Sequence, residues 1–220
     1  DLERKEIVAI LKKHISRIAE GQALQTGTEI RLNTSEKPLI RIDKDSQQTL
    51  VGISVKLPPV NSKPYLYGYL LRVLMGNSIG SRIWHLRAEK KLAYDMNAIQ
   101  IQMKQAGLFS VYLKTDIEKG EAAMKALEAV FDSLYTDGLS ESAFEKLRTR
   151  SITDFLRRNE TKVERTGQLG YFETMGLSYR FVLDFENRIN QISLGDFLKF
   201  IKMWMKKSDR IRVMIGPDHS

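Results

Sequence analysis

The stretch YDMNAIQIQMKQAGLFSVYLKTDIEKGEAAMKALEAVFDSLY, Tyr94–Tyr135, decides the architecture. Its first half reads as two strands, Tyr94–Met103 and Leu108–Thr115. Gln105-Ala106-Gly107 between them predicts a hairpin, with Gly107 supplying a positive φ. Strands joined by so short a turn pair antiparallel, because a parallel pair needs a long crossover. The period then changes. Over Lys119–Tyr135, Ala123, Leu127, Val130, Phe131 and Leu134 share one helical face.

Outward from this unit the same contrast recurs. Leu39–Ile42 and Thr49–Leu57 read as strands, and Pro58-Pro59 stops the second because proline has no N–H for a ladder. Tyr65–Met75 is apolar nearly all round and predicts a buried helix. Gly76–Gly80 breaks the chain, and Ser81 is placed to cap a helix running to about Lys90. Gly138 ends the Lys119 helix, and Ser140 caps the next one, through about Arg158. Lys162–Met175 and Phe181–Asn190 are further helices. Ser193, with Asp196 three residues on, opens a last helix whose core stripe is Phe197, Leu198, Ile201, Trp204 and Met205. Arg210–Ile215 is a closing strand before Gly216-Pro217. At the other end Leu2–Ile18 is an amphipathic helix with Ile7, Ile10, Leu11, Ile15 and Ile18 on one face, broken at Gly21. A polar stretch through Pro38 follows, with a short strand at Thr28–Leu32. Neighbouring strands with helices bunched after them predict an α+β fold, a mainly antiparallel sheet covered on one side by several helices.

Composition narrows the function classes. The 220 residues hold 42% hydrophobic and 28% charged residues, the balance of a globular chain. No run of 18 apolar residues predicts a membrane-spanning helix. No signal peptide opens the chain, and a first residue Asp1 implies a processed or excerpted segment; the compartment is not readable. Cysteine is absent, which removes disulfides, thiolate metal sites and a cysteine nucleophile. The net charge of +8 is scattered. Its one cluster, Lys199, Lys202, Lys206, Lys207, Arg210 and Arg212, lies on and after a helix with an apolar face, and no nucleic-acid-binding motif accompanies it. Between Glu141 and Glu164 acids and bases interleave as solvated helix faces.

Familiar chemistries are missing. His14, His85 and His219 are far apart and at no metal-ligand spacing, so no zinc site is expected from this chain alone. Glu160 and Glu164, one turn apart, sit among Arg157, Arg158, Lys162 and Arg165 and read as surface pairing. Gly76–Gly80 lacks the Lys-Ser/Thr of a phosphate loop and reads as a helix–helix turn.

One segment goes further. Leu74-Met75-Gly76-Asn77-Ser78-Ile79-Gly80-Ser81-Arg82-Ile83-Trp84-His85-Leu86-Arg87-Ala88-Glu89-Lys90-Lys91-Leu92-Ala93-Tyr94 resembles the C-terminal-half motif of the insulinase (pitrilysin) zinc metallopeptidases. There a Gly/Ser-rich turn opens a Ser-Arg-hydrophobic helix, followed by Leu-Arg, a charged turn and Leu-Ala/Gly-Tyr. Gly107–Thr115 resembles the second hairpin strand, and Arg210–Pro217 the closing strand. Leu2–Ile18 resembles the helix that follows the last strand of the first half. This implies one α+β domain over 1–220, with 1–20 resembling the end of the preceding half and 38–220 the C-terminal-half core. The turn is less glycine-rich here and the Ser81 helix one residue shorter, which bears on how Arg82 and Trp84 point.

The resemblance implies a lobe of a metalloendopeptidase that cleaves peptides in a closed two-half chamber. No residue of this chain alone is catalytic. Zinc and the catalytic base come from an N-terminal half or partner subunit carrying His-x-x-Glu-His, and a homo- or hetero-dimer fits the same scheme. The family's Arg and Tyr that face the zinc across the chamber fall on Arg87 and Tyr94, for substrate binding and oxyanion support. A guanidinium and a phenol at a helix end and a strand start share one rim and can donate to peptide carbonyls. The alternative is a non-catalytic scaffold or assembly subunit of the same fold. The basic balance of the chain disfavours very basic peptides unless the other half is acidic.

Overall fold

A computed structural model describes residues 3–22, 39–60, 64–76 and 78–217. The Thr28–Leu32 strand, Asn77 and His219 lie outside the described residues. In chain order the elements are α1 (Arg4–Ile15), β1 (Ile40–Asp43), β2 (Thr49–Leu57), α2 (Tyr65–Met75), α3 (Trp84–Ala88), β3 (Asp95–Gln102) and β4 (Gly107–Thr115). Then come α4 (Gly120–Asp137), α5 (Glu141–Arg157), α6 (Lys162–Thr174), α7 (Arg180–Leu183), α8 (Phe185–Asn190), α9 (Leu194–Trp204) and β5 (Ile211–Gly216).

The five strands form one sheet in the order β1-β5-β2-β4-β3. All pairings are antiparallel except β1 with β5. Strand alternation sorts the faces. Val51, Ile53, Val55 and Leu57 on β2 and Phe109, Val111 and Leu113 on β4 are fully buried beneath the helices. Leu50, Ser54, Lys56, Leu108, Ser110, Tyr112 and Lys114 fill the alternate positions and are only half-buried. The helical cover is α2, α4 and α9. Ala123, Leu127, Val130, Phe131 and Leu134 are all buried, as the helical spacing of α4 predicts. Beyond α2, rings of α5 and α8 stack, with Phe155 and Phe185 centroids 3.7 Å apart.

Caps are where local chemistry reads most directly. Ser140 and Ser193 accept hydrogen bonds from the backbone N–H of Ala143 and Asp196. Ser81 departs from expectation. The helix begins only at Trp84, without a side-chain cap, and Ser81 Oγ is buried without a partner among the described residues. The predicted Phe181–Asn190 helix is two short helices, broken at Asp184. The hairpin is present, but Gly107 does not have a positive φ. Its lack of a side chain is needed for another reason. A Cβ there would stand 2.7 Å from the Pro58 carbonyl oxygen and 2.9 Å from Leu57 Cβ.

Two readings of charge are corrected. Arg210, taken for part of a surface basic cluster, is buried: it donates to Asp132 at 2.5 Å and to the Met205 carbonyl at 3.1 Å. Glu164 closes a capping box with Thr161. The amphipathic face of α1 also behaves unexpectedly, for none of its residues is buried.

Candidate functional site

Arg87 lies in the last turn of α3, exposed, with no hydrogen-bond or ion-pair partner among the described residues. An arginine there commonly bonds the final carbonyls of its own helix; this one does not. Leu86, its neighbour, is fully buried and anchors the helix. The chain then reverses: Lys91 takes φ 52°, and Leu92 N–H donates to the Leu86 carbonyl at 2.8 Å. Ala93 is buried, and Tyr94 N–H donates to the Lys114 carbonyl of β4 at 2.9 Å. Arg87 therefore ends the helix and Tyr94 leads into β3, with one tight turn between.

The Tyr94 ring is 55% exposed. Its hydroxyl donates to Asp116 Oδ1 at 2.5 Å, and Asp116 also pairs with Lys119 at 2.6 Å. The bond to Asp116, with minor burial, raises the phenol's pKa, so the phenol stays protonated in neutral solution. Lys119 and Tyr94 together hold the Asp116 carboxyl below the usual carboxylate range. A phenol has one proton to donate. Tyr94 can give it to a peptide oxygen only by leaving Asp116.

The neighbouring motif residues are structural. Arg82 Nη2 donates to the Gly138 carbonyl at 2.7 Å, tying α3 to the end of α4. Trp84 is half-buried against the core. His85 Nδ1 lies 2.9 Å from the Arg82 carbonyl. Among the described residues no three His, Asp or Glu side chains come together as a metal cage.

Comparison with known proteins decides the family. The profile described as "Peptidase M16 inactive domain" matches residues 1–151. The chain belongs to the M16 inactive-domain family. A Rickettsia felis protein described as an uncharacterized zinc protease is 24% identical over 131 residues, 59% of this chain and 32% of that one. The Helicobacter pylori non-peptidase homolog YmxG is 22% identical over 212 residues, 95% of this chain and 48% of its own. The M16 domain thus spans about half or less of these curated relatives. Among solved structures, a protease from Helicobacter pylori superposes with TM-score 0.86 at 17% identity, covering 99% of this chain and 53% of that one. The M16 inactive domain from Pseudomonas fluorescens gives TM-score 0.86 at 19% identity, covering 100% and 52%. These likenesses show the fold.

Sequence reasoning on this M16 domain missed residues that build the site from afar. Asp116 holds Tyr94 across 22 residues. Arg150, on α5, clamps the Gly/Ser turn: Nη1 donates to the Gly80 carbonyl at 3.0 Å and Nη2 to Ser78 Oγ at 2.8 Å. No local pattern in the sequence signals either contact, since each joins elements that only the fold brings together.

Proposed function

We propose that this chain is the peptide-holding C-terminal half of a zinc-dependent metalloendopeptidase, with zinc and the catalytic base supplied by an N-terminal half or partner subunit. The observation that carries the reading is Arg87, an exposed guanidinium without a partner among the described residues, one turn of chain before an exposed tyrosine. A charged group held at a surface without a partner is available to a ligand. Arg87 offers fixed donors to a peptide carbonyl oxygen, and those donors strengthen as negative charge grows on it. Tyr94, released from Asp116, adds a second donor.

An exposed apolar stripe on α1 supports a second half. On α1, Ile7, Val8, Ile10, Leu11 and Ile15 are exposed, Leu11 at 50% and Ile15 at 56%. A stripe of this kind is normally buried against another element. We read residues 1–20 as going with the preceding half and 38–220 as the core of this one. A second reading, a scaffold subunit of the same fold, is favoured by the non-peptidase designation of YmxG, which aligns with 95% of this chain.

The test is peptide cleavage by the full-length protein with its other half present. Arg87→Ala should lower kcat/KM by about 10²–10³-fold, the loss typical of one oxyanion donor, and Tyr94→Phe should lower it in the same direction. Unchanged kcat/KM in Arg87→Ala defeats the reading. A preceding half or partner without a His-x-x-Glu-His helix points to the scaffold.

A further inference from the structure

A basic pocket lies at the end of β3 remote from Tyr94. It encloses about 260 Å³ between that strand and α2, α5 and α6, with Tyr69, Arg72, Gln100, Arg158 and Tyr171 in its wall. Behind the wall stands Asp154, 17% exposed. Arg72 Nη2 and Arg158 Nε reach its Oδ2, the latter at 3.0 Å, and Arg157 lies 3.5 Å from its Oδ1. Tyr69 Oη donates to the same Oδ2 at 2.7 Å. Arg157 is 75% exposed and outside the wall, so one carboxylate serves the two guanidinia of the pocket and one positive charge remains in excess there. Among the described residues no carboxylate lines the pocket. Glu164, on the first turn of α6, is engaged with Thr161. Arg158 spends only Nε on Asp154; its terminal nitrogens have no partner among the described residues.

A half-buried aspartate needs one guanidinium to balance it, and a second leaves planar donors over for another carboxylate, the group whose geometry they match. β3 links the two places: Tyr94 precedes its first residue, and Gln100, Ile101 and Gln102 at its other end line the pocket. Among the described residues β3 is an edge strand of the sheet, eight residues long, Asp95–Gln102. That is roughly 26 Å of extended chain at about 3.3 Å per residue. Ile99, Ile101 and Met103 stand exposed along it.

We propose that the pocket of Arg72 and Arg158 binds a carboxylate of an extended peptide lying along β3. The placement along β3 rests on the proposed peptide-holding role; the pocket's preference for a carboxylate does not depend on Arg87. Binding is measured by fluorescence anisotropy on the full-length protein in EDTA. The probe is a labelled Ala/Ser/Thr peptide of about 14 residues, long enough to run the length of β3, with one internal Glu or with Gln in its place, each with a free or an amidated C-terminus. The Glu peptide should bind about tenfold tighter than the Gln peptide, as for a hydrogen bond to a charged group. Arg158→Gln should erase that preference and leave the Gln peptide's affinity unchanged. Loss on amidation instead of on Glu→Gln, again erased by Arg158→Gln, assigns the carboxylate to the peptide's C-terminus. Equal affinity for all four peptides, no binding, or a preference that survives Arg158→Gln overturns the proposal. Arg87→Ala separates the two claims: it weakens all four peptides alike if the peptide-holding role is right, and a preference that persists without such weakening keeps the pocket and removes that role.

Discussion

The residue with the most at stake is Asp154. Burial works to raise its pKa, but Arg72, Tyr69 and Arg158 outweigh burial and hold the carboxyl below the usual range. Removing the charge strands Arg72, whose side chain is 14% exposed, beside an unpaired Tyr69 hydroxyl. Asp154→Ala should therefore cost about 3 kcal/mol, as for breaking a buried pair. In calorimetry that is a fall in Tm of roughly 6–12 °C for a chain of this size. The pH dependence follows the same charge. A carboxyl whose folded pKa is depressed contributes stability above its unfolded value of about 3.9 and loses it as pH falls through the folded value. Asp132, held low against its burial by Arg210 and Lys207, adds to the effect. Urea midpoints should be flat from neutral pH down to about 5 and drop below about 4, and less steeply in Asp154→Asn. An equally steep acid limb in that variant would show that other groups dominate.

Among the elements, the turn from α3 to β3 is the most constrained. Lys91 holds φ 52° with a side chain attached, a conformation that costs roughly 1 kcal/mol outside glycine. Lys91→Gly should raise the urea midpoint slightly and leave peptide binding intact, whereas Lys91→Val should lower it. The turn's work is to set Arg87 and Tyr94 on either side of it, and its local signature in sequence was only a charged run, Glu89-Lys90-Lys91. The first helix shows the opposite situation. Its periodicity was plain in sequence, but among the described residues nothing buries the stripe. Leu11→Asp should leave the melting of the 220-residue chain unchanged and destabilise the full-length protein by about 1.5–3 kcal/mol, the worth of one buried leucine. Equal loss in both would place the partner of the stripe within the chain.

At the scale of the whole molecule, the sheet joins parts that are remote in sequence. β1 pairs in parallel with β5, Ile40 opposite Val213, and β2 sits between β5 and β4. Close approach of backbones at two glycines makes this possible. At Gly216 a Cβ would stand 2.6 Å from Thr49 Oγ1, and at Gly107 it would meet the Pro58 carbonyl. Gly107→Ala should destabilise the protein by at least 1 kcal/mol through overpacking, about the low end of such changes, visible as a lower Tm without loss of secondary structure. Much of this plan was legible: Thr49–Leu57 and Tyr65–Met75 were bounded correctly from pattern alone, because alternation, prolines and helical periodicity are local. Strand order was not, since a parallel pairing across more than 170 residues leaves no mark in either strand.

The sequence by itself determined the α+β class, the hairpin, the capped helices and, through one motif, the family and the two residues proposed to meet a peptide. Tertiary structure alone decided which charges face one another. It buried Arg210 against Asp132, set three arginines around Asp154, engaged the Tyr94 hydroxyl with Asp116 and left Arg87 without a partner among the described residues. The physical reason is distance along the chain. Hydrophobic period and capping act over three or four residues and are written into neighbours. An ion pair between Arg72 and Asp154 spans 82 positions, and whether such a charge is solvated, paired or spare depends on where the packed core places its ends.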